Sequence, residues 1–205
     1  MPSPTPKSVF LGVTGASGAA YAQRLLAALA DDSCEVTLCV SDCGVLVLRH
    51  ELGLPGEGRT AVVAGLIERA GAAAVTEVRD PDDLAAPAAS GSAAPDVVVV
   101  CPCSMSTAAH IALGTSRNLI HRAADVALKE RRRLVVVPRE TPLSSIHLRR
   151  LLELSEAGAV VLPAMPGFYG RPQSLADVVD HVVGKTLQAL GFEQRLFAPW
   201  DGGTR

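Results

Sequence analysis

Short apolar runs without polar alternation take turns along this chain with stretches whose apolar residues recur every three or four positions. Val9, Phe10, Leu11 and Val13, then Glu35–Val40, residues 96–101, 134–137 and 159–162, are runs of the first kind. They read as strands buried on both faces of a parallel sheet. Tyr21, Leu25, Leu26 and Leu29 predict a helix over residues 18–30, and Val62, Val63, Leu66 and Ile67 predict another over 60–70. Further helices are expected over 45–52, from Thr107 through Leu113, over 123–132, over 144–156 with a stop at Gly158, and over Leu175–Leu190 with Gly191 just beyond. Residues 79–95, RDPDDLAAPAASGSAAP, carry no periodicity and read as a long loop of the kind that is often functional.

Strand and helix alternation of this kind predicts an α/β fold in three layers, Rossmann- or flavodoxin-like, with a mostly parallel sheet, right-handed crossovers and helices on both faces. Such sheets bind ligands at the carboxyl edge of their strands. Residues 15–18, Ser41, 102–107, 138–141 and 163–169 are all expected on that edge. The first turn, Thr14-Gly-Ala-Ser-Gly18, joins a strand to a helix N-terminus, where free N–H groups and the helix dipole make an anion site and thus a phosphate seat. Gly12, Gly15 and Gly18 are spaced by threes, which departs from the dinucleotide G-x-G-x-x-G, and no Lys-Ser/Thr pair follows as a nucleoside-triphosphate loop requires.

With 205 residues the chain can bury roughly 70% of its unfolded surface as one domain, 1–205, with 1–7 a polar lead-in and 193–205 a tail expected to be mobile or to reach a neighbouring subunit. A formal net charge of −2, with no basic stripe, gives no reason to expect nucleic acid. No apolar run approaches the roughly 20 residues of a membrane span. Five cysteines without a secretory signal point to reduced thiols and the cytoplasm. Cys101-Pro-Cys103 is too closely spaced for a zinc pair, so no metal is expected. His110, His121, His147 and His181 read as structural or surface residues.

Arg139-Glu140 directly follows the apolar run LVVV, where charges are costly without partners. The pair either bridges neighbouring loops or faces a phosphate, with Arg139 as donor and Glu140 as general acid or base. Arg122 and Lys129 are seven apart on one helix face with Asp125 between them, either a solvated face or a cation pair. Ser104, Ser106 and Thr107 can cap a helix or bind a phosphate, and Tyr169 sits in a loop framed by proline and glycine. No Ser-His-Asp arrangement or G-x-S-x-G elbow announces a hydrolase.

Together these segments resemble the UbiX-type flavin prenyltransferases, within the homo-oligomeric flavin-containing decarboxylase-like proteins, over nearly the whole chain. The resemblance is carried by Thr14-Gly-Ala-Ser-Gly18 with Tyr21 and Arg24-Leu-Leu26, by Ala89-Ser-Gly-Ser92, and by Cys101-Pro-Cys-Ser-Met-Ser-Thr107. It continues through Asn118-Leu-Ile-His-Arg-Ala-Ala-Asp-Val-Ala-Leu-Lys-Glu-Arg-Arg132, Val137-Pro-Arg-Glu-Thr-Pro-Leu143, Ile146-His-Leu148 and Pro166-Gly-Phe-Tyr169. It implies a transferase that joins a dimethylallyl group from dimethylallyl phosphate to N5 and C6 of reduced FMN, giving prenylated FMN for a UbiD-type decarboxylase. It implies a homo-oligomer, a dodecamer built from trimers, and no metal.

Carried over by position, Gly15, Ala16, Ser17, Ser41, Ser104, Met105, Ser106, Thr107 and Arg139 would hold FMN. Glu51, Arg122, Lys129, Arg139, Glu140, Tyr169 and Lys185 would surround the prenyl phosphate, with Ser90 near the prenyl chain. Glu140 is then the acid/base and Ser17 a relay to flavin N5. Lys185 stands where the family pattern has arginine, which keeps the charge but loses the two-pronged grip. Two other readings are an FMN-dependent cysteine-type decarboxylase, such as one acting on pantothenoylcysteine, and a non-catalytic FMN-binding subunit. The first is disfavoured because Pro102–Thr107 lacks the expected asparagine motif and Pro163-Ala-Met-Pro166 lacks P-x-M-N.

Overall fold

The computed structural model describes residues 7–30, 34–200 and 202. Six parallel strands form one sheet in the order β3-β2-β1-β4-β5-β6: β1 (Ser8–Val13), β2 (Glu35–Val40), β3 (Val75–Arg79), β4 (Val97–Cys103), β5 (Arg133–Pro138) and β6 (Val160–Val161). The helices are α1 (Ala19–Ala30), α2 (Asp42–Leu52), α3 (Arg59–Ala70), α4 (Met105–Ala112), α5 (Leu119–Lys129), α6 (Ser145–Glu156) and α7 (Leu175–Leu190).

Two apolar layers account for this arrangement. Val9, Leu11 and Val13 of β1 face one way, into a core shared with Leu25 and Leu29 of α1, Leu66 of α3 and Leu187 of α7. Phe10 faces the other way, with Val98, Val100, Ile120 of α5, Leu134 and Leu154 of α6. Period-two side chains of a strand point to opposite faces, so continuous apolar runs are what a sheet covered on both sides requires. Gly12 lets α5 lie close on β1, because a Cβ there would stand 2.7 Å from Ile120 Cγ2.

Several boundaries differ from those the sequence suggests. β3 was not anticipated: VTEVR is an edge strand whose side chains alternate between half-buried and exposed, so it lacks a continuous apolar run. The expected loop 79–95 is organised into two 3₁₀ turns, Pro87–Ala89 and Gly91–Ala93, anchored by buried Ala86 and Ala88. α5 begins at Leu119 rather than 123, because Asn118 Oδ1 accepts the His121 N–H at 3.0 Å and caps the helix. β4 runs on to Cys103 through a register shift after Val100. Of the tail, Gln194 to Trp200 packs on its own chain; residues 201 and 203–205, like 1–6 of the lead-in, lie outside the described residues.

Candidate functional site

The chain winds outward from β1 to β2 and β3, then crosses back to β4, so strand order reverses between β1 and β4. A crevice opens at that point of a doubly wound sheet, beyond the carboxyl ends of the strands. Thr14 forms its floor. Only 2% exposed, its hydroxyl donates to the Pro102 carbonyl at 2.9 Å and accepts the Ser104 N–H at 2.8 Å. Its own N–H reaches the Pro102 carbonyl at 3.2 Å, so the two loops of the crevice are tied together through one side chain.

The α1 N-terminus is not an open phosphate seat, contrary to the expectation from its glycine turn. Glu51 Oε2, from the end of α2, accepts the N–H groups of Gly18 at 2.9 Å and Ala19 at 2.8 Å. Ser17 hydrogen-bonds the same carboxylate. Burial alone would raise the Glu51 pKa, but these donors and the Arg139 charge together hold it below the usual carboxylate value. The dipole end that was expected to bind a ligand anion is thus filled from within the chain, and the filling carboxylate is anchored to Ser17. Close contact of the glycine turn with α2 fixes this geometry: a Cβ on Gly15 would lie 2.4 Å from Cys43 Cβ.

Across the crevice, Ser104 caps α4, its hydroxyl oxygen accepting the Thr107 N–H at 3.2 Å and its hydroxyl donating to Thr107 Oγ1 at 3.1 Å. That arrangement leaves the N–H groups of Met105 and Ser106 as the open donors of this helix start. Ser41 caps α2, accepting the Gly44 N–H at 3.1 Å, which assigns its oxygen a structural partner. Cys101 and Cys103 are buried on β4, and burial pushes the Cys101 thiol up to about 12, so neither is poised as a thiolate.

Arg139 and Glu140 are exposed just past β5, and the Arg139 charge reaches both Glu51 and Tyr21. Glu140 Oε1 accepts the Thr141 N–H at 3.0 Å. Both line a cavity of about 230 Å³ with Thr141, Leu143, Pro163 and Met165. The expected gathering at the carboxyl edge therefore holds for Gly15, Ala16, Ser17, Ser41, the Ser104–Thr107 turn, Arg139, Glu140 and the loop from Pro163 to Met165, and Glu51 joins them from α2.

It does not hold for Lys129. α5 runs back along the strands, so Lys129 closes it a few residues before β5 begins, whereas Arg139 follows the end of β5. The six residues of β5 separate the two by roughly 20 Å along the sheet. Around α5 a second group forms. Arg122 donates from Nε to the Ala89 carbonyl at 3.1 Å and from Nη1 to Asp125 at 2.7 Å. Lys129 pairs with Glu130, and Ser90 bonds Ser92 at 3.1 Å in the turn beside it. A Cβ on Gly91 would lie 2.7 Å from Lys129 Nζ, so this turn packs directly on the lysine.

A third group belongs to α7 and the loop before it. Tyr169 Oη lies 3.0 Å from His181 Nε2, and the Gly167 N–H donates to His181 Nδ1 at 3.1 Å. Trp200 stands edge-on to Tyr169 at 5.8 Å, and Phe197 lies 4.9 Å from His181. Lys185 is exposed one turn along α7 from His181. Burial, then the Lys185 charge, holds the His181 pKa below the ordinary imidazole value. Gly167, Tyr169, His181 and Phe197 border a cavity of about 330 Å³ that is also lined by Arg171 and Asp177. The family resemblance assigns Tyr169 and Lys185 to the prenyl phosphate, whereas His181 reads from sequence as structural or surface; its position four residues before Lys185, on one helix face, is the available signal. Glu51 was chosen by resemblance, but its closure of α1 had no local sequence signature.

The chain matches the Flavoprotein family over residues 3–187. It is 50% identical over 198 residues to the flavin prenyltransferase UbiX of Pseudomonas aeruginosa, covering 95% of this chain and 94% of that one. Among solved structures, AnUbiX (PadA1) in complex with FMN and dimethylallyl pyrophosphate superposes with a TM-score of 0.85 at 38% identity, covering 96% of this chain and 98% of the other. A dodecameric FMN-dependent UbiX-like decarboxylase from Escherichia coli O157:H7 superposes with a TM-score of 0.84 at 38% identity, over 95% of this chain and all (100%) of its own.

Proposed function

This chain belongs to the UbiX flavin prenyltransferases, and from that membership we propose that it joins a dimethylallyl group, taken from dimethylallyl phosphate, to N5 and C6 of reduced FMN. The observation that carries this reading furthest is the crevice between β1 and β4. It combines an open α4 start, the exposed Arg139 guanidinium and a serine anchored to an ionised carboxylate. These features suit a phosphorylated flavin: N–H groups and hydroxyls for its phosphate, and a hydroxyl at hand for a ring nitrogen.

In this reading Gly15, Ala16, Ser17, Ser41, Ser104, Met105, Ser106, Thr107 and Arg139 hold FMN. Reduced FMN supplies the nucleophilic N5 that displaces phosphate from the allylic carbon. Ser17 moves a proton at the flavin edge while Glu51 keeps its hydroxyl oriented. Glu140 gives a proton to the departing phosphate and takes one back at ring closure. Arg122, Lys129 and Lys185 offset the phosphate charge, Tyr169 donates a hydrogen bond to it, and Ser90 flanks the prenyl chain.

Because one chain carries Lys129 at the end of α5 away from Arg139, the complete site draws that lysine from a neighbouring copy in a homo-oligomer, a dodecamer in this proposal. The E. coli relative's dodecameric assembly supports that arrangement. The product, prenylated FMN, passes to a UbiD-type decarboxylase, and the work is done in the cytoplasm.

Anaerobic incubation of the purified chain with reduced FMN and dimethylallyl phosphate tests the reading. It should yield flavin heavier by one dimethylallyl unit with an altered absorption spectrum, and Glu140→Gln should slow its formation by about 10²- to 10⁴-fold, the usual contribution of a general acid–base. Flavin recovered unchanged from the unaltered chain, or a Glu140→Gln rate equal to it, would overturn the reading or that role respectively.

A further inference from the structure

His181 has no part in the reaction described so far, and its hydrogen bonds determine where its proton lies. A backbone N–H can only donate, so Nδ1, which receives the Gly167 N–H at 3.1 Å, must carry a lone pair. In a neutral imidazole the proton then sits on Nε2, which faces Tyr169 Oη at 3.0 Å. The tyrosine oxygen accepts that hydrogen bond, so its own proton must point elsewhere. We propose that His181 is a positioning residue for the prenyl donor: it donates to Tyr169 Oη and so commits the tyrosine O–H outward, toward a phosphate oxygen.

Several features of the surroundings agree. The imidazole is kept neutral by burial and by Lys185, which preserves a lone pair on Nδ1 at neutral pH. The ring is held from behind by Phe197 at 4.9 Å, and Tyr169 is held edge-on by Trp200 at 5.8 Å, so neither partner turns freely. A hydroxyl that already accepts a hydrogen bond is a stronger donor in its own right. Tyr169 is thereby presented as an oriented O–H, while the Lys185 charge acts on the His181 that orients it.

The inference rests on the reading that puts Tyr169 at the donor phosphate, and the test separates the two. Oxidised FMN lacks the nucleophilic N5 of the reduced flavin, so full-length protein loaded with it should bind dimethylallyl phosphate without turnover, and calorimetry then measures the donor Kd independently of activity. Tyr169→Phe and His181→Phe should each weaken the Kd about tenfold, the scale of one hydrogen bond to a charged group, and the double variant should be no weaker than either alone. His181→Gln, whose amide nitrogen can reach the Nε2 position, should restore most of the affinity. His181→Asn, whose oxygen can serve Gly167 but whose nitrogen falls short of Tyr169, should not.

In turnover, the loss should appear in KM for the donor more than in kcat. A His181→Phe Kd equal to that of the unaltered chain, effects of the two single variants that multiply, or equal affinities for the Gln and Asn variants would each overturn the inference. If Tyr169→Phe itself left the Kd unchanged, the placement of Tyr169 at the phosphate would fall first.

Discussion

Glu51 shows how a single side chain can change the meaning of a motif. A glycine turn before a helix is an anion site in principle, and here the anion is part of the protein. Its carboxyl lies below the usual 4.5, so the stabilisation from its charge is complete above about 4.5 and is lost as pH falls through the lower folded value. The melting-temperature gap between the unaltered chain and Glu51→Gln should therefore be widest near neutrality and shrink as pH falls below about 4.5. A gap independent of pH would mean that the charge does not matter. His121 provides a contrast. Burial, with His110 beside it, lowers its pKa from 6.5 to about 4, so folding favours its neutral form. That contribution is complete above 6.5 and is lost as pH falls toward 4, which predicts a second, earlier loss of stability on acidification that His121→Phe should lack. Lys185 carries a third prediction. Replacing it with arginine restores a planar two-pronged donor and should lower KM for the prenyl phosphate severalfold with kcat little changed. An equal or higher KM would remove Lys185 from the phosphate site.

Among the elements, the contact between α5 and β1 is a tight constraint beneath the crevice. Gly12 admits Ile120 into a gap with no room for a methyl group, since the added Cβ would meet Ile120 Cγ2 at 2.7 Å. Gly12→Ala should push α5 outward and cost about 1–3 kcal/mol, or several degrees of melting temperature. An unchanged melting temperature would show that the helix shifts without penalty. Helix ends illustrate how much of an element its neighbours in sequence specify. Asn118 and Ser144 cap α5 and α6 through the N–H three residues on, and both patterns are readable without coordinates once the cap residue is noticed. Taking the start of α5 from its apolar residues alone places it four residues late. β3 was harder to read, because an edge strand buries little and carries only a weak alternation.

At the scale of the whole molecule the chain presents three groups on different elements: Ser17, Glu51, Arg139 and Glu140 at the carboxyl edge, Arg122 and Lys129 along α5, and Tyr169, His181 and Lys185 on α7 with its preceding loop. If neighbouring copies bring these groups together, two inactive variants should complement each other. Co-expressed Glu140→Gln and Lys129→Ala chains should form mixed oligomers in which roughly a quarter of the sites have both residues intact, with turnover to match. No recovery in oligomers shown to be mixed would mean that both residues act from the same chain.

What the sequence determined by itself was local and periodic: the buried parallel strands, most of the helices, the loops at the carboxyl edge, and the residues whose pattern matches a flavin prenyltransferase. These are legible because strand and helix repeats lie within a few neighbouring residues and a motif is a fixed spacing. Only the tertiary structure decided that Glu51 occupies the start of α1, that Thr14 ties β1 to β4, that Lys129 is carried away from Arg139, and that His181 orients Tyr169. Each of these joins residues from different elements, or depends on which way a helix runs across the sheet. Packing through space sets such relations, and no repeat along the chain encodes them.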